Sequence, residues 1–195
     1  MEIDTLLAQR VRDLRKARGL TLGQLAESSG VSRSMISLIE RRETSPTAAV
    51  LNKLADALGV SLPVLFAGKD PATPSEPLAR LADQPVWTDP ASGYLRRHLS
   101  PLGADSPIEL IEVNFPSGET VVFDSPGRKT VVRQQLWMLD GAMEVSLNNQ
   151  VWRLTTGDCL AMTLGDRITF HNPNPVPARY LLALTSTTDH APGTP

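Results

Sequence analysis

Arg33, Ser34, Ser37, Leu38 and Arg41 recur at spacings that gather them on one side of an α-helix. A guanidinium flanked by hydroxyls on an outward helix face can hydrogen-bond to phosphates or to the edges of bases. Such a helix fits a DNA major groove when a second helix braces it against the backbone. A second polar set lies in the other half of the chain: Arg128, Lys129, Arg133, Gln134, Arg167 and His171. Cations and an amide around a partly apolar pocket suit a small anion or an amide-bearing metabolite, because arginine grips carboxylate or phosphate through paired hydrogen bonds.

The first set needs two short helices to hold it. Thr21 caps the first, with Gln24 completing a capping box, and Leu22, Leu25 and Ala26 form its inward stripe. Gly30 suits a left-handed residue closing that helix, and Val31 plugs the angle. Ser32 caps the second helix, whose Met35, Ile36 and Ile39 point inward. Beyond it, Val50, Leu51, Leu54, Ala55 and Leu58 make another apolar stripe stopped by Gly59. A short closing helix follows from Ser61 to Phe66.

These residues resemble the Xre/Cro-type helix-turn-helix family of regulators, from about residue 5 to residue 66. The likeness is carried by RVRDLRKARGLT, the GVS turn, the IER segment, the SPT bend at Ser45 to Thr47 and the LNKLADALGVSL helix. It implies a five-helix, lambda-repressor-like DNA-binding domain. By that resemblance Arg33, Ser34, Ser37 and Leu38 face bases, Arg33 pairing with guanine and Leu38 touching only a thymine methyl. Ser32, Arg41, Arg42 and Thr44 would meet phosphates. Leu22 stands where the family often has a phosphate-binding glutamine, and Gln24 is the candidate to replace it. Arg42 stands at a common glycine and either extends the helix or adds a phosphate contact. Arg15 and Glu40 match a pair that ties the first helix to the recognition helix.

Composition agrees with a soluble globular protein: 195 residues, 41% hydrophobic and 21% charged. No apolar run approaches the roughly 20 residues of a membrane span, and the N-terminus lacks a secretory signal pattern. Cys159 is the single cysteine, so it is expected to pack as a small buried hydrophobe in a cytoplasmic protein. Residues 1–67 hold nine Lys/Arg against seven Asp/Glu, whereas residues 68–195 hold ten against fourteen. So small a basic excess predicts weak phosphate attraction by one head. It therefore points to a homodimer on a palindromic double-stranded operator.

AGKDPATPSEP, residues 67 to 77, has three prolines and no apolar periodicity, and reads as a semi-extended spacer. The chain is thus expected to divide into a DNA-binding domain at 1–67, a linker at 68–77 and a β domain at 78–195. In the last, β-prone runs occur at Tyr94–Leu99, Ile108–Phe115, Thr120–Phe123, Thr130–Leu139, Met143–Leu147, Val151–Leu154, Cys159–Met162, Ile168–His171 and Tyr180–Thr185. Short strands between turn signals indicate a sandwich or barrel, and Asn148-Asn149 suits a hairpin turn.

The order of signals from Gln134 to Pro175 resembles the cupin family: Gly141 after a strand, a hairpin, a Gly157-Asp158 turn, then a strand ending in His171-Asn172. That implies a double-stranded β-helix, or jelly-roll barrel. Many cupins hold a metal with three histidines and a glutamate. Here Gln134 (or Gln135) occupies the glutamate's place, Arg128 and Lys129 stand near two of the histidines, and only His171 remains. No metal, cofactor or catalytic residue is therefore expected. Strand alternation predicts that if Gln134 faces the cavity, so do Leu136 and Met138, while Gln135 and Trp137 face out. The reading that results is a transcriptional regulator whose barrel senses a small effector. The alternative is a metal-dependent cupin isomerase or dioxygenase tethered to DNA by its head.

Overall fold

The computed structural model describes residues 3–66, 76–102, 104, 106–124, 130–148, 150–165 and 167–188. The proposed spacer, with Arg128, Lys129 and Asn149, falls largely or wholly outside them. The chain runs through four α-helices: α1 (Ile3–Ala17), α2 (Leu22–Ser29), α3 (Arg33–Glu40) and α4 (Ala48–Ala57). The fifth expected helix, Leu62–Phe66, is a 3₁₀ turn.

The starts of α2, α3 and α4 have local causes. Thr21 and Gln24 form the reciprocal capping box of α2, while Ser32 and Thr47 cap α3 and α4 by accepting from Met35 N and Val50 N. The ends of α1, α3 and α4 share one device. After α1, Leu20 N donates to Arg15 O and Gly19 N to Lys16 O, with Gly19 at φ +66°. After α4, Val60 and Gly59 repeat the pattern. After α3 the same pair of bonds forms, Glu43 N to Leu38 O and Arg42 N to Ile39 O, with Arg42 at φ 64°. This is a Schellman stop. Arg42 therefore ends the helix and does not extend it.

Ten strands follow: β1 (Val86–Thr88), β2 (Leu95–His98), β3 (Glu109–Phe115), β4 (Thr120–Asp124), β5 (Thr130–Asp140), β6 (Ala142–Leu147), β7 (Gln150–Thr155), β8 (Cys159–Thr163), β9 (Arg167–His171) and β10 (Ala178–Thr188). They make a six-stranded sheet, β1-β2-β3-β10-β5-β8, and a four-stranded sheet, β4-β9-β6-β7. Every pairing is antiparallel. The two sheets face each other as a cupin-type jelly-roll barrel. Gly141 turns the chain from β5 to β6 at φ +77°, and a Cβ there would lie 3.0 Å from Pro177 O, so the close approach requires glycine. β1 was not anticipated; three residues between prolines carry too little alternation to read as a strand.

Alternation along β5 is as expected. Gln134, Leu136 and Met138 are buried, Gln135 is exposed, and Trp137 is 48% exposed. Cys159 departs from expectation. It is exposed at the start of β8, opposite outward Trp137, and so shares that residue's face.

The helical head packs directly on the barrel, and one continuous apolar core runs from Leu7 in α1 to Leu184 in β10. α4 lies against β4. Phe66 meets Trp87 edge-on at 5.9 Å and lies 4.5 Å from the His98 ring. Buried Asp89 crosses the seam: its Oδ1 accepts the Ala48 N–H at the start of α4 (2.9 Å), while Oδ2 accepts from the Ser92 hydroxyl and amide.

Candidate nucleic-acid interface and a seam cavity

α3 buries Ile36 and Ile39 and turns the rest of its surface outward. Arg33 and Ser34 are exposed, Ser37 and Leu38 half-buried. Among the described residues Arg33 makes no hydrogen bond or ion pair. Ser32 spends its hydroxyl on Met35 N (3.2 Å) and lies 3.1 Å from Ser34 Oγ. Arg41 pairs with Glu43 at 3.1 Å on the surface, which partly neutralises it, whereas Arg42 is exposed and has no such partner among the described residues. Thr44 is half-buried. Gln24 Oε1 accepts from Thr21 N (2.9 Å), leaving its amide hydrogens for an acceptor outside the helix.

The brace behind this face is the Arg15–Glu40 pair. Arg15 Nε and Nη2 donate to the two Glu40 oxygens at 2.6 and 2.8 Å, and Nη1 donates to Leu20 O at 2.8 Å. Both side chains are about nine-tenths covered. The hydrogen bond to Glu40 raises the arginine's pKa further. This bidentate fork fixes the last turn of α3 against α1 and thereby sets how far Arg33 projects.

The described members of the second expected set do not converge on one site. Arg133 and Arg167 are exposed on β5 and β9. His171 Nδ1 lies 2.9 Å from Thr120 Oγ1 and 3.2 Å from Glu119 O, a link between neighbouring strands. Leu136 and Met138 are core residues. Of the set, Gln134 alone among the described residues lines the seam cavity, while Arg133 and Gln134 together border an open groove over β5, β8 and β10. The reason is parity: Arg133 precedes Gln134 on the strand and so must face the other way.

That cavity has a volume of about 50 Å³ and lies at the seam. The head contributes Asn52, Ser61, Leu62 and Pro63 as its roof, and the barrel supplies walls that include Phe123, Val132, Phe170 and Leu184. Tyr94 and Arg96 form the polar end. Arg96 is 4% exposed; its Nη1 donates to Tyr94 Oη (3.2 Å), and its Nε has no partner. Gln134 Nε2 reaches only the Met162 sulfur, at 3.5 Å. Burial pushes the Glu109 carboxyl up, with Arg96 and the Ser61 hydroxyl opposing, and burial together with Arg96 pushes His98 well down. Tyr94, Arg96 and His98 were missed because β2 carries adjacent arginines. Their shared parity with an aromatic was the one available signal.

An exposed basic helix face, braced through α1 and carried on a capped helix-turn-helix, defines a DNA-binding class of fold. Residues 11–65 match the helix-turn-helix family HTH_3. The chain is 28% identical to the HTH-type transcriptional regulator SutR of Escherichia coli over 78% of this chain and 79% of that one. Over 34% of its length it is 43% identical to the control protein C.SmaI of Serratia marcescens, covering 79% of the latter. The solved HTH_3 family transcriptional regulator from Vibrio cholerae superposes with a TM-score of 0.75 at 24% identity, over 94% of this chain and 96% of that one. The chain belongs to the HTH_3 helix-turn-helix family, and the Vibrio protein shares its fold across head and barrel.

Proposed function

We propose that the protein is a sequence-specific transcriptional regulator that binds double-stranded DNA through α3 and senses a small effector through its barrel. The observation that carries this reading is the exposed, unpaired Arg33 on a helix held in place by the Arg15–Glu40 fork. Ser34, Ser37 and Leu38 adjoin it as base contacts. Ser32, Arg41, Arg42, Thr44 and Gln24 meet phosphates, Arg41 after release from Glu43. The division into a head at 1–67, a linker at 68–77 and a barrel at 78–195 goes with it. So do a cytoplasmic location and a homodimer on a two-fold symmetric operator, since one head carries few cations.

The barrel binds and does not catalyse. The positions that hold ligands in metal cupins offer an amide at Gln134 and a histidine already engaged with Thr120. No helix among the described residues is long and apolar enough to cross a membrane. Selection from random duplex oligonucleotides tests the reading. The full chain is expected to enrich a palindrome, and Arg33→Ala to weaken binding to it by about 1–3 kcal/mol with relaxed preference at one base pair. No enrichment, or an Arg33→Ala variant indistinguishable from wild type, would overturn it.

A further inference from the structure

We propose that the seam cavity binds a short-chain carboxylate, gripped at its charged end by Arg96 and roofed by the helical head. This deepens the sensor reading above and rests on it. A guanidinium 4% exposed is costly unless something satisfies it, and here the Nε–H has no partner. No carboxylate lies within 4.0 Å of it among the described residues; buried Glu109, bonded to Ser61, acts on it only from beyond that distance. The Phe66 ring, 6.0 Å from the guanidinium carbon, offers only a weak face contact. Gln134 adds a second donor held by nothing better than a thioether. Arg96 and Gln134 both line this small space, although the Nε itself is shielded from a water-sized probe; their donors call for an acceptor, and the buried positive charge calls for an anionic one.

The remainder of the wall selects among anions. Phe123, Val132, Phe170 and Leu184 are apolar, and sulfate or phosphate would lose most of its hydration there without replacement. A carboxylate presents one polar end to Arg96 and Gln134 and a hydrocarbon end to these side chains. A volume of about 50 Å³ holds roughly four water-sized groups; two of them are the carboxylate oxygens, which sets a limit near two carbons. Because Asn52 and Ser61 of the head line the cavity together with barrel residues, an occupant contacts both halves. Its affinity is then linked to the head's position, and DNA and carboxylate must change each other's affinity by the same factor.

The test uses the full chain with acetate, propionate and butyrate, their neutral amides, and sulfate. At about a hundredfold over Kd, a bound carboxylate should raise Tm by about 5 °C or more, while amides and sulfate leave it unchanged. The Arg96 Nε–H resonance should move with the carboxylate alone, and Arg96→Met should abolish the Tm response. If that variant does not fold, the wild-type resonance decides. Carboxylates and amides acting alike, or none of the three acids acting, would overturn the proposal. Enrichment of an operator without carboxylate binding sinks this site and leaves the DNA reading standing. Carboxylate binding without any operator does the reverse.

Discussion

His98 sits behind the cavity with its ring against Phe66 and Nε2 unpartnered. Burial first, and the charge of Arg96 second, depress its pKa well below 6.5. The folded protein therefore refuses a proton that the unfolded chain accepts once the pH falls below 6.5. Stability is complete above that value and declines as the pH drops toward the folded pKa, by at most about 1.4 kcal/mol per unit for this one group. Chemical denaturation between about pH 7.5 and 5.5 should reveal the decline, and His98→Phe should flatten it whatever its stability at pH 7.5. An equal slope in both proteins would remove His98 as the cause. At this scale the sequence was least legible. Which of two adjacent arginines, Arg96 or Arg97, turns inward depends on strand parity, and the only local pointer to it is the parity Arg96 shares with Tyr94.

Three helices end on the same stop, two with glycine at the left-handed position and α3 with Arg42 at φ 64°. A side chain in that conformation costs about 1 kcal/mol relative to glycine. Arg42→Gly should accordingly stabilise the protein by up to about 1 kcal/mol and, by losing a phosphate contact, lower the salt slope of DNA binding by about one ion. Denaturant midpoints and affinities across a salt series measure the two effects. Stabilisation without a change in slope would take Arg42 away from the phosphates. The elements themselves were legible because their signals are local: caps at Thr21, Ser32 and Thr47, and period-two alternation along β5. What lay beyond reach was set by tertiary partners. β1 exists only by pairing with β2, and Cys159 is outward because β8 lies opposite Trp137.

The seam between head and barrel was not foreseeable from either half. It requires α4 to find a capping carboxylate 41 positions away, at Asp89, and Phe66 to enter an aromatic group that contains Trp87 and Tyr94. Asp89 is 3% exposed and accepts from three donors, one on α4 and two on Ser92. Replacing it leaves those donors buried without acceptors, at about 1–3 kcal/mol each where water cannot reach them. If one core unites the molecule, wild-type protein should unfold in a single transition whose calorimetric and van't Hoff enthalpies agree. In Asp89→Ala the head should release first, giving two transitions, with the lower one following helical signal. Asp89→Asn, which keeps an acceptor oxygen, should largely restore the single step. A lone transition in Asp89→Ala, merely shifted to lower temperature, would mean the apolar contacts of Phe66 couple the halves without the carboxylate. Two transitions already present in the wild type would mean the halves are independent. The head would then have no means of reporting what the cavity holds.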